Sequence, residues 1–354
     1  MLKKLFLLFV MLIAMVLAAT WYLFDYHERQ LSVSLPIEES TVINVNPGTS
    51  FQQLMRRFES KGWVSNADFM RLYIRLHPEI TSIRAGEYAI EPGSSLLDVI
   101  GKMNRGEVIA HRFTIIEGHT FRQLMSALQA DVRLQFTLEG KTEQEIMEAI
   151  TGDPDLPAEG MFLAETYQFI RGATDVEILR RAYRDLQAFL EGQWMNRDES
   201  LPYKSPYEAI IMASIIERET GVPEERSKIA GVFVRRLNIS MRLQTDPTVI
   251  YGMGDRFQGR ITRADLQRPT PWNTYTIDGL PPTPISMVGR EAIVAAFNPL
   301  EGNALYFVAR GDGTHHFSAT LREHNNAVNR YQRNRRSDYR SSPAPTPTPA
   351  NSTQ

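Results

Sequence analysis

The order of apolar and polar positions divides the chain into an N-terminal apolar run, a region of short elements and a longer mixed region. Residues 5–24 form an apolar run of 20 residues, and such a run can cross a hydrocarbon core of about 30 Å. Lys3 and Lys4 precede it, so an anchor here places residues 1–4 in the cytoplasm and the rest outside. A cleaved signal peptide is the alternative, although the run exceeds the roughly 7–15 residues of a signal core.

A second pattern occurs three times, beginning near residues 42, 88 and 113. Each copy reads as a short strand, a turn with glycine, a Ser or Thr cap and an amphipathic helix. The first two copies predict a small α+β module at 40–112, and the third opens a larger mixed domain at 113–335. The alternative is that strand, turn and helix signals recur by chance.

The larger domain mixes helical periodicity with two strand signals. Helices are predicted at 143–151, 175–192, 206–220, 224–237 and 321–334, and strands at 306–309 and in the segment through Phe317. Residues 241–288 lack a clear period and are rich in Pro, Thr, Asn and Gly, which predicts functional loops. Residues 336–354 carry few apolar side chains and are predicted to be a disordered tail. The fold class is therefore α+β, with an N-terminal transmembrane helix.

Composition removes several classes of function. The net charge of −2 over 354 residues gives no basic field of the kind that nucleic-acid binders show, so no nucleic-acid partner is predicted. The chain has 0 cysteines, which excludes disulfides, thiol catalysis and cysteine-ligated zinc.

The predicted helix at 206–220 is apolar on nearly every side and carries two carboxylates in its last turn, Glu217 and Glu219. Ser205 is a good N-cap, and Glu208 completes a predicted capping box. Burial and the negative end of the helix dipole both disfavour a charged carboxylate. Both effects raise a glutamate pKa, as a general acid working near neutral pH requires.

The two glutamates project about 200° apart because they are two residues apart on a helix. Two isoleucines lie behind Glu219 in the preceding turn, whereas an alanine and a serine lie behind Glu217. This difference favours Glu219 as the carboxyl with the raised pKa. The alternative is that both glutamates only cap the helix surface or pair with Arg218 and Arg226.

Polar groups suited to a sugar are concentrated in the loop region. Amide, carboxylate and phenol groups there offer directional donors and acceptors, and aromatic rings offer faces for pyranose CH groups. Ordinary turn chemistry would select many of the same residue types. The candidates are Gln244, Asp246, Asn273 and Tyr275, with the rings of Tyr251 and Trp272.

A metal site is not predicted, and neither is a cofactor. His315, His316 and His324 lie close together in sequence, yet they lack the i, i+4 spacing of a helical zinc site, and no HExxH occurs. A role in organising the loop region, together with Asn325, fits these residues better. No GxSxG elbow is present either.

Taken together, these strings resemble the endolytic transglycosylases of bacterial cell-wall synthesis, the MltG (YceG-like) family. The resemblance runs from the anchor to about residue 330, and its matching strings stand in a fixed order. They are ASIIERET at 213–220, MRLQTDPTVIYG at 241–252, NTY at 273–275, GLPP at 279–282, YFVA at 306–309, and HF and HN at 316–317 and 324–325. Two departures affect the fine geometry: Ala164-Glu165 stands where the family often has Pro-Asp, and Thr283 where it often has Gly.

The resemblance implies an inner-membrane protein whose LysM-like module precedes a periplasmic catalytic domain. It implies cleavage of nascent peptidoglycan between MurNAc and GlcNAc with 1,6-anhydro-MurNAc ends, which terminates glycan elongation. Glycan strands are the implied substrate, and membrane-bound peptidoglycan synthases are the implied partners. The essential glutamate of the family is the second in its Glu-x-Glu-Thr string, here Glu219.

The predicted mechanism uses Glu219 first as general acid and then as base toward the sugar's own C6 hydroxyl. Two other classes of protein remain as alternatives. A muramidase would add a second carboxylate such as Asp246 or Glu165 and would release reducing ends. A peptidoglycan-binding protein would perform no chemistry. In the lytic reading, the groups that orient substrate and glutamate are Glu217, Gln244, Asp246, Asn273 and Tyr275.

Overall fold

The computed structural model describes residues 2–334 and residue 340 of the chain. It divides into two units: Met1–His111 with Gln168–Gly172, and Arg112–Tyr167 with Ala173–Gln354. The predicted domain bounds of 40–112 and 113–335 stay a prediction. The predicted tail at 336–354 lies outside the described residues except for Arg340.

The first helix, α1 (Leu2–Leu31), extends the predicted apolar run at both ends. Its segment Lys3–Leu31, 29 residues long, is the one helix among the described residues that is long and apolar enough to cross a membrane. The N-terminal apolar helix is therefore compatible with a single-pass anchor.

The first unit combines helices with a two-stranded antiparallel sheet. The register of β1 on β2 runs from Thr41 opposite Ile90 to Val45 opposite Gly86. Ile43, Phe58, Tyr88 and Met103 are each 0% exposed and form part of the core between sheet and helices. After α1, its elements are β1 (Thr41–Val45), α2 (Phe51–Ser60), α3 (Ala67–Leu76), β2 (Gly86–Ile90) and α4 (Leu96–Arg105).

The recurring strand, turn and helix pattern is confirmed in all three copies. Ser50, Ser95 and Thr120 are N-caps, and each closes a reciprocal capping box. The glycine of each turn has a positive φ, for example 80° at Gly48 and 87° at Gly93, which glycine adopts without a steric penalty. Local signals are therefore sufficient to place these turns and helix starts.

The second unit is mainly helical. Strands β3 (Ala110–Thr114) and β4 (Thr166–Ile170) are each divided between the two units. Within the second unit, β5 (Tyr306–Ala309) pairs antiparallel with β6 (His315–Ser318). The helices are α5 (Phe121–Ala130), α6 (Glu143–Thr151), α7 (Asp175–Met195), α8 (Pro206–Glu219), α9 (Pro223–Asn238), α10 (Asp246–Met253), α11 (Arg263–Gln267), α12 (Arg290–Phe297) and α13 (Leu321–Val328).

Helix α8 lies at the centre of this unit, in contact with α7, α9, α10 and α12. Its eight consecutive residues from Ala209 to Ile216 are all buried, as its apolar sequence predicts.

The predicted helices at 143–151, 175–192, 206–220 and 224–237 are confirmed to within a few residues. The prediction of a helix at 321–334 is partly wrong, because α13 ends at Val328 and a π-helical turn, Asn329–Arg333, follows. The loop prediction for 241–288 is also incomplete, since it missed α10 and α11.

Candidate active site

Helix α8 begins as predicted, with Ser205 as its N-cap. The Ser205 hydroxyl accepts a hydrogen bond from the Glu208 amide at 3.3 Å. The Glu208 carboxylate, however, accepts from the Lys204 amide at 2.6 Å instead of from the cap residue. The predicted capping box is therefore wrong in its second half. The helix ends at Glu219, and the backbone becomes extended at Thr220.

Glu219 is part-buried at this helix end, and its carboxylate accepts a hydrogen bond from the Thr245 hydroxyl. Burial raises the pKa of Glu219 to about 7. The Thr245 hydrogen bond and the charge of Arg236 oppose that rise of the pKa, whereas the negative charge of Asp246 adds to it. This carboxyl can thus hold and release a proton near neutral pH, which is what acid/base chemistry requires.

Three buried threonines are joined to one another by hydrogen bonds, and one of them, Thr245, contacts Glu219. Thr245 is 2% exposed, and Thr248 and Thr274 are each 0% exposed. The Thr245 amide donates to the Thr274 hydroxyl at 3.0 Å, and the Thr248 hydroxyl donates to the Thr245 carbonyl at 2.8 Å. The hydroxyls of Thr248 and Thr274 lie 2.9 Å apart. We call these residues the threonine cluster.

The structure brings Asp246 and Tyr275, two predicted site residues, into direct contact near Glu219. The Tyr275 hydroxyl donates to Asp246 Oδ1 at 2.7 Å. Burial raises the pKa of Tyr275, and the negative charges of Asp246 and Glu219 raise it further. The phenol therefore stays protonated and available as a donor at neutral pH.

Gln244 lies directly before the threonine cluster, with its side chain exposed. Its φ of 49° is in the left-handed region, which is uncommon for a residue other than glycine. Its amide donates to the Thr274 carbonyl at 3.2 Å, which helps to hold that turn. Backbone strain of this kind is concentrated at functional sites.

Asn273 is buried, with 1% exposure, and organises the loop. Its amide nitrogen reaches three backbone carbonyls, at 3.2, 3.2 and 2.7 Å, and its oxygen accepts from the Tyr275 amide at 2.9 Å. The contacts of this side chain are therefore with the protein's own backbone, including that of Tyr275.

Glu217 lies away from this group, in a network of its own. Its carboxylate accepts from the Gly289 amide at 3.0 Å and lies 3.5 Å from an Arg226 nitrogen. Burial raises the pKa of Glu217, while the Gly289 hydrogen bond and the charge of Arg226 lower it. Arg226 also contacts Glu117 and Glu291. A substrate-binding role for Glu217 stays a prediction.

One further carboxyl, Glu159, was missed by the reasoning from sequence. It is 8% exposed and accepts from the Phe121 amide at 3.0 Å and from the Tyr251 hydroxyl at 3.1 Å. Burial raises the pKa of Glu159 to about 7. The signal in the sequence was a lone acidic residue directly before the glycine and apolar run at 160–164.

Tyr251 of α10, which contacts this carboxyl, also contacts the ring of Trp272. The rings of Tyr251 and Trp272 meet edge to face, 5.5 Å apart. The Trp272 indole N–H donates to the Thr283 hydroxyl at 2.9 Å. Thr283 therefore helps to orient Trp272.

The histidines singled out in the sequence lie in structural contacts. His315 Nδ1 is 2.7 Å from Glu225 Oε2, and His324 stacks on Tyr306 with ring centres 5.2 Å apart. Among the described residues there is no cluster of three or more His, Cys, Asp or Glu side chains that could hold a metal ion.

The geometry defines a candidate acid/base site built on one glutamate with polar and aromatic neighbours. A model of the YceG-like family matches residues 43–330. The chain therefore belongs to the YceG-like family.

Similar proteins from two organisms carry the same name. A protein of Bacillus subtilis (strain 168), named endolytic murein transglycosylase, is 29% identical over 318 residues, which cover 84% of this chain and 87% of that protein. A protein of the same name from Streptococcus pneumoniae (strain ATCC BAA-255 / R6) is 26% identical over 343 residues and 85% of this chain, but over only 60% of its own length. The crystal structure of a yceG-like protein from Listeria monocytogenes is also similar, with 29% identity and a TM-score of 0.48 over 82% of this chain and 99% of that one.

Proposed function

We propose that this protein is an endolytic murein transglycosylase that cuts nascent glycan strands between MurNAc and GlcNAc and so terminates their elongation. One observation carries the proposal: Glu219 is a part-buried carboxyl whose pKa is raised to about 7, beside the exposed polar side chains of Gln244 and Asp246. Membership of the YceG-like family and the names of its relatives support the same reaction.

The proposed reaction uses one carboxyl twice. Protonated Glu219 donates its proton to the glycosidic oxygen as the C1–O bond breaks and positive charge develops at C1. The C6 hydroxyl of the same MurNAc attacks C1 and gives its proton to the Glu219 carboxylate. A 1,6-anhydro ring forms, no water is consumed, and Glu219 returns to its protonated state.

Three polar groups are proposed to orient the sugar: Gln244, Asp246 and Tyr275. The exposed positions of the first two and the hydrogen bond from Tyr275 to Asp246 support this assignment. Asn273 is proposed to act through the loop that it holds, and Glu217 through the helix end. Such a preorganised polar shell stabilises charge that develops during the reaction.

A hydrolytic muramidase is the second candidate, and it needs a second carboxylate near the scissile bond. Glu165, one of the two predicted for that role, forms an ion pair with Arg290 at 2.5 Å. Asp246, the other, accepts the Tyr275 hydrogen bond. The ion pair occupies Glu165, so Asp246 is the carboxylate that a hydrolytic reaction would use, and the ends of the products distinguish the two reactions.

The anchor and the N-terminal module complete the proposal. Helix α1 would hold the protein in the inner membrane with residues 1–4 in the cytoplasm, because Lys3 and Lys4 precede the apolar run. The remainder would lie in the periplasm, beside membrane-bound peptidoglycan synthases. The module at 40–112 is proposed to be LysM-like and to hold glycan, and its separate core is consistent with that role.

The test is digestion of nascent, uncrosslinked glycan by the full chain, followed by mass spectrometry of the products. The wild type is expected to release ends that are one water lighter than reducing ends, and Glu219→Gln to lose about 10²–10⁴-fold in rate. Glu224→Gln, which changes an exposed carboxylate in the next helix, is the matched control and should keep full activity. Reducing ends would instead indicate a hydrolase, and binding without cleavage would indicate a binding protein.

A further inference from the structure

The hydroxyl of Thr245 has an unusual partner for its position. Thr245 is the N-cap residue of α10, and a threonine there normally accepts a hydrogen bond from an amide of the first turn. No such capping bond forms in this helix. The hydroxyl donates to Glu219 Oε1 instead, so a common stabilising contact is replaced by one to the candidate acid.

The threonine cluster leaves Thr245 little freedom to move. Its amide is held by the Thr274 hydroxyl at 3.0 Å, and its carbonyl by the Thr248 hydroxyl at 2.8 Å. The preceding residue, Gln244, has a φ of 49°, and its amide is bonded to the Thr274 carbonyl. The donor that faces Glu219 is therefore fixed before any substrate binds.

A neutral carboxyl group has one oxygen that carries the proton and one that only accepts. Because Thr245 donates to Oε1, that oxygen is the accepting one, and the proton of neutral Glu219 lies on Oε2. We propose that Thr245 is a positioning residue for the cleavage reaction, which directs Oε2 of Glu219 toward the glycosidic oxygen as the proton donor. This inference rests on the proposed function, in which Glu219 is the general acid.

The same hydrogen bond acts on the charge that forms during the reaction. When Glu219 gives up its proton, the Thr245 donor faces a carboxylate, and hydrogen bonds to charged groups are the stronger ones. The other charged or titratable groups that act on Glu219 are Asp246 at the start of α10, Arg236 of α9 and Tyr275 of the loop. Of these, only Arg236 carries a positive charge, so Thr245 is one of few groups that favour the ionised acid.

Thr245→Val tests the inference, because it removes the hydroxyl and keeps the shape of the side chain. The value of kcat on nascent glycan should fall on the order of 10- to 100-fold, as expected for one hydrogen bond to a charged group, with KM little changed. The alkaline limb of the pH–rate profile should move to higher pH, because loss of the donor raises the pKa of Glu219 further. Thr245→Ser keeps the hydroxyl and should restore both kcat and the profile.

A titration that does not depend on turnover separates the proposed role of Thr245 from the proposed function of the protein. In full-length protein labelled with ¹³C at glutamate side chains, the Glu219 signal is the one absent from Glu219→Gln. The midpoint of its pH titration should be higher in Thr245→Val than in wild type, and in Thr245→Ser it should return to the wild-type value. An unchanged midpoint and an unchanged alkaline limb would overturn the role of Thr245. If Glu219→Gln cleaved glycan as fast as wild type, the proposed function would fail, whatever the midpoint.

Discussion

The two sides of the last turn of α8 place two glutamates in opposite kinds of surroundings. Glu217 faces an arginine and a backbone amide, so its carboxylate has partners that favour the charged form. Glu219 faces a neutral hydroxyl and has the negative charge of Asp246 nearby. Burial raises the pKa of both residues, and it raises that of Glu219 to about 7. Burial is the largest cause of the raised pKa at both residues, and the difference teaches that the partners then set how strongly that rise is opposed.

The largest effect expected from this comparison is on the Glu217 side. Arg226→Met should lower the free energy of unfolding by about 3–5 kcal/mol, because it leaves a buried carboxylate without its cation. The Glu217 side chain is only 4% exposed, so water cannot replace the arginine there. Denaturant unfolding of the full chain in detergent measures this loss.

Arg218→Met is the matched control for Arg226→Met. Arg218 is exposed in the last turn of α8, next to Glu217 in sequence, and its guanidinium donates to the Gly118 carbonyl at 2.9 Å. A much smaller loss of unfolding free energy is therefore expected. Equal losses in the two variants would show that Glu217 does not depend on Arg226, and the contrast between the two helix faces would fail.

The next effect is a pH dependence of stability, and it compares Glu219 with Glu159. Each has a folded pKa of about 7 against an ordinary value of 4.5. Between these values the folded chain binds a proton that the unfolded chain does not, so stability falls as pH rises from about 4.5 to 7. Each glutamate should contribute up to roughly 3 kcal/mol to that fall.

Glutamine at either position removes the group that titrates. Glu219→Gln and Glu159→Gln should each flatten the dependence of unfolding free energy on pH, and the gain over wild type should be greater at pH 8 than at pH 4. Only Glu219→Gln should abolish cleavage. Loss of cleavage in Glu159→Gln to the same extent would mean that Glu159 shares the acid role.

Much of this architecture could be predicted from local sequence signals. The Ser and Thr caps with their glycine turns placed α2, α4 and α5, and the apolar run from Ala209 to Ile216 predicted a buried α8. These features depend on neighbours within a few residues in the chain. The same reasoning favoured Glu219 over Glu217, because the isoleucines behind it lie one turn away.

Contacts between distant residues could not be predicted in this way. The threonine cluster joins positions 26 and 29 residues apart, and Glu159 meets Tyr251 across 92 residues. Nothing near Asn273 in sequence shows that its amide is occupied by backbone carbonyls, and nothing near Glu217 identifies Arg226 rather than Arg218 as its partner. The residues of the site were within reach of sequence reasoning, but the hydrogen bonds that set their roles were not.

The smallest expected effect concerns Asp246, whose charge acts on Glu219 in the direction opposite to Thr245. Asp246→Asn removes a negative charge that raises the pKa of Glu219, so the alkaline limb of the pH–rate profile should move to lower pH. The shift should be less than about one unit, because the Asp246 side chain is exposed and water and salt screen its charge. Added salt should reduce the difference in the alkaline limb between the wild type and Asp246→Asn, because salt screens the charge of Asp246. Movement of the limb to higher pH in Asp246→Asn would mean that the hydrogen bond from Tyr275, and not the charge, transmits the effect of Asp246 to the acid.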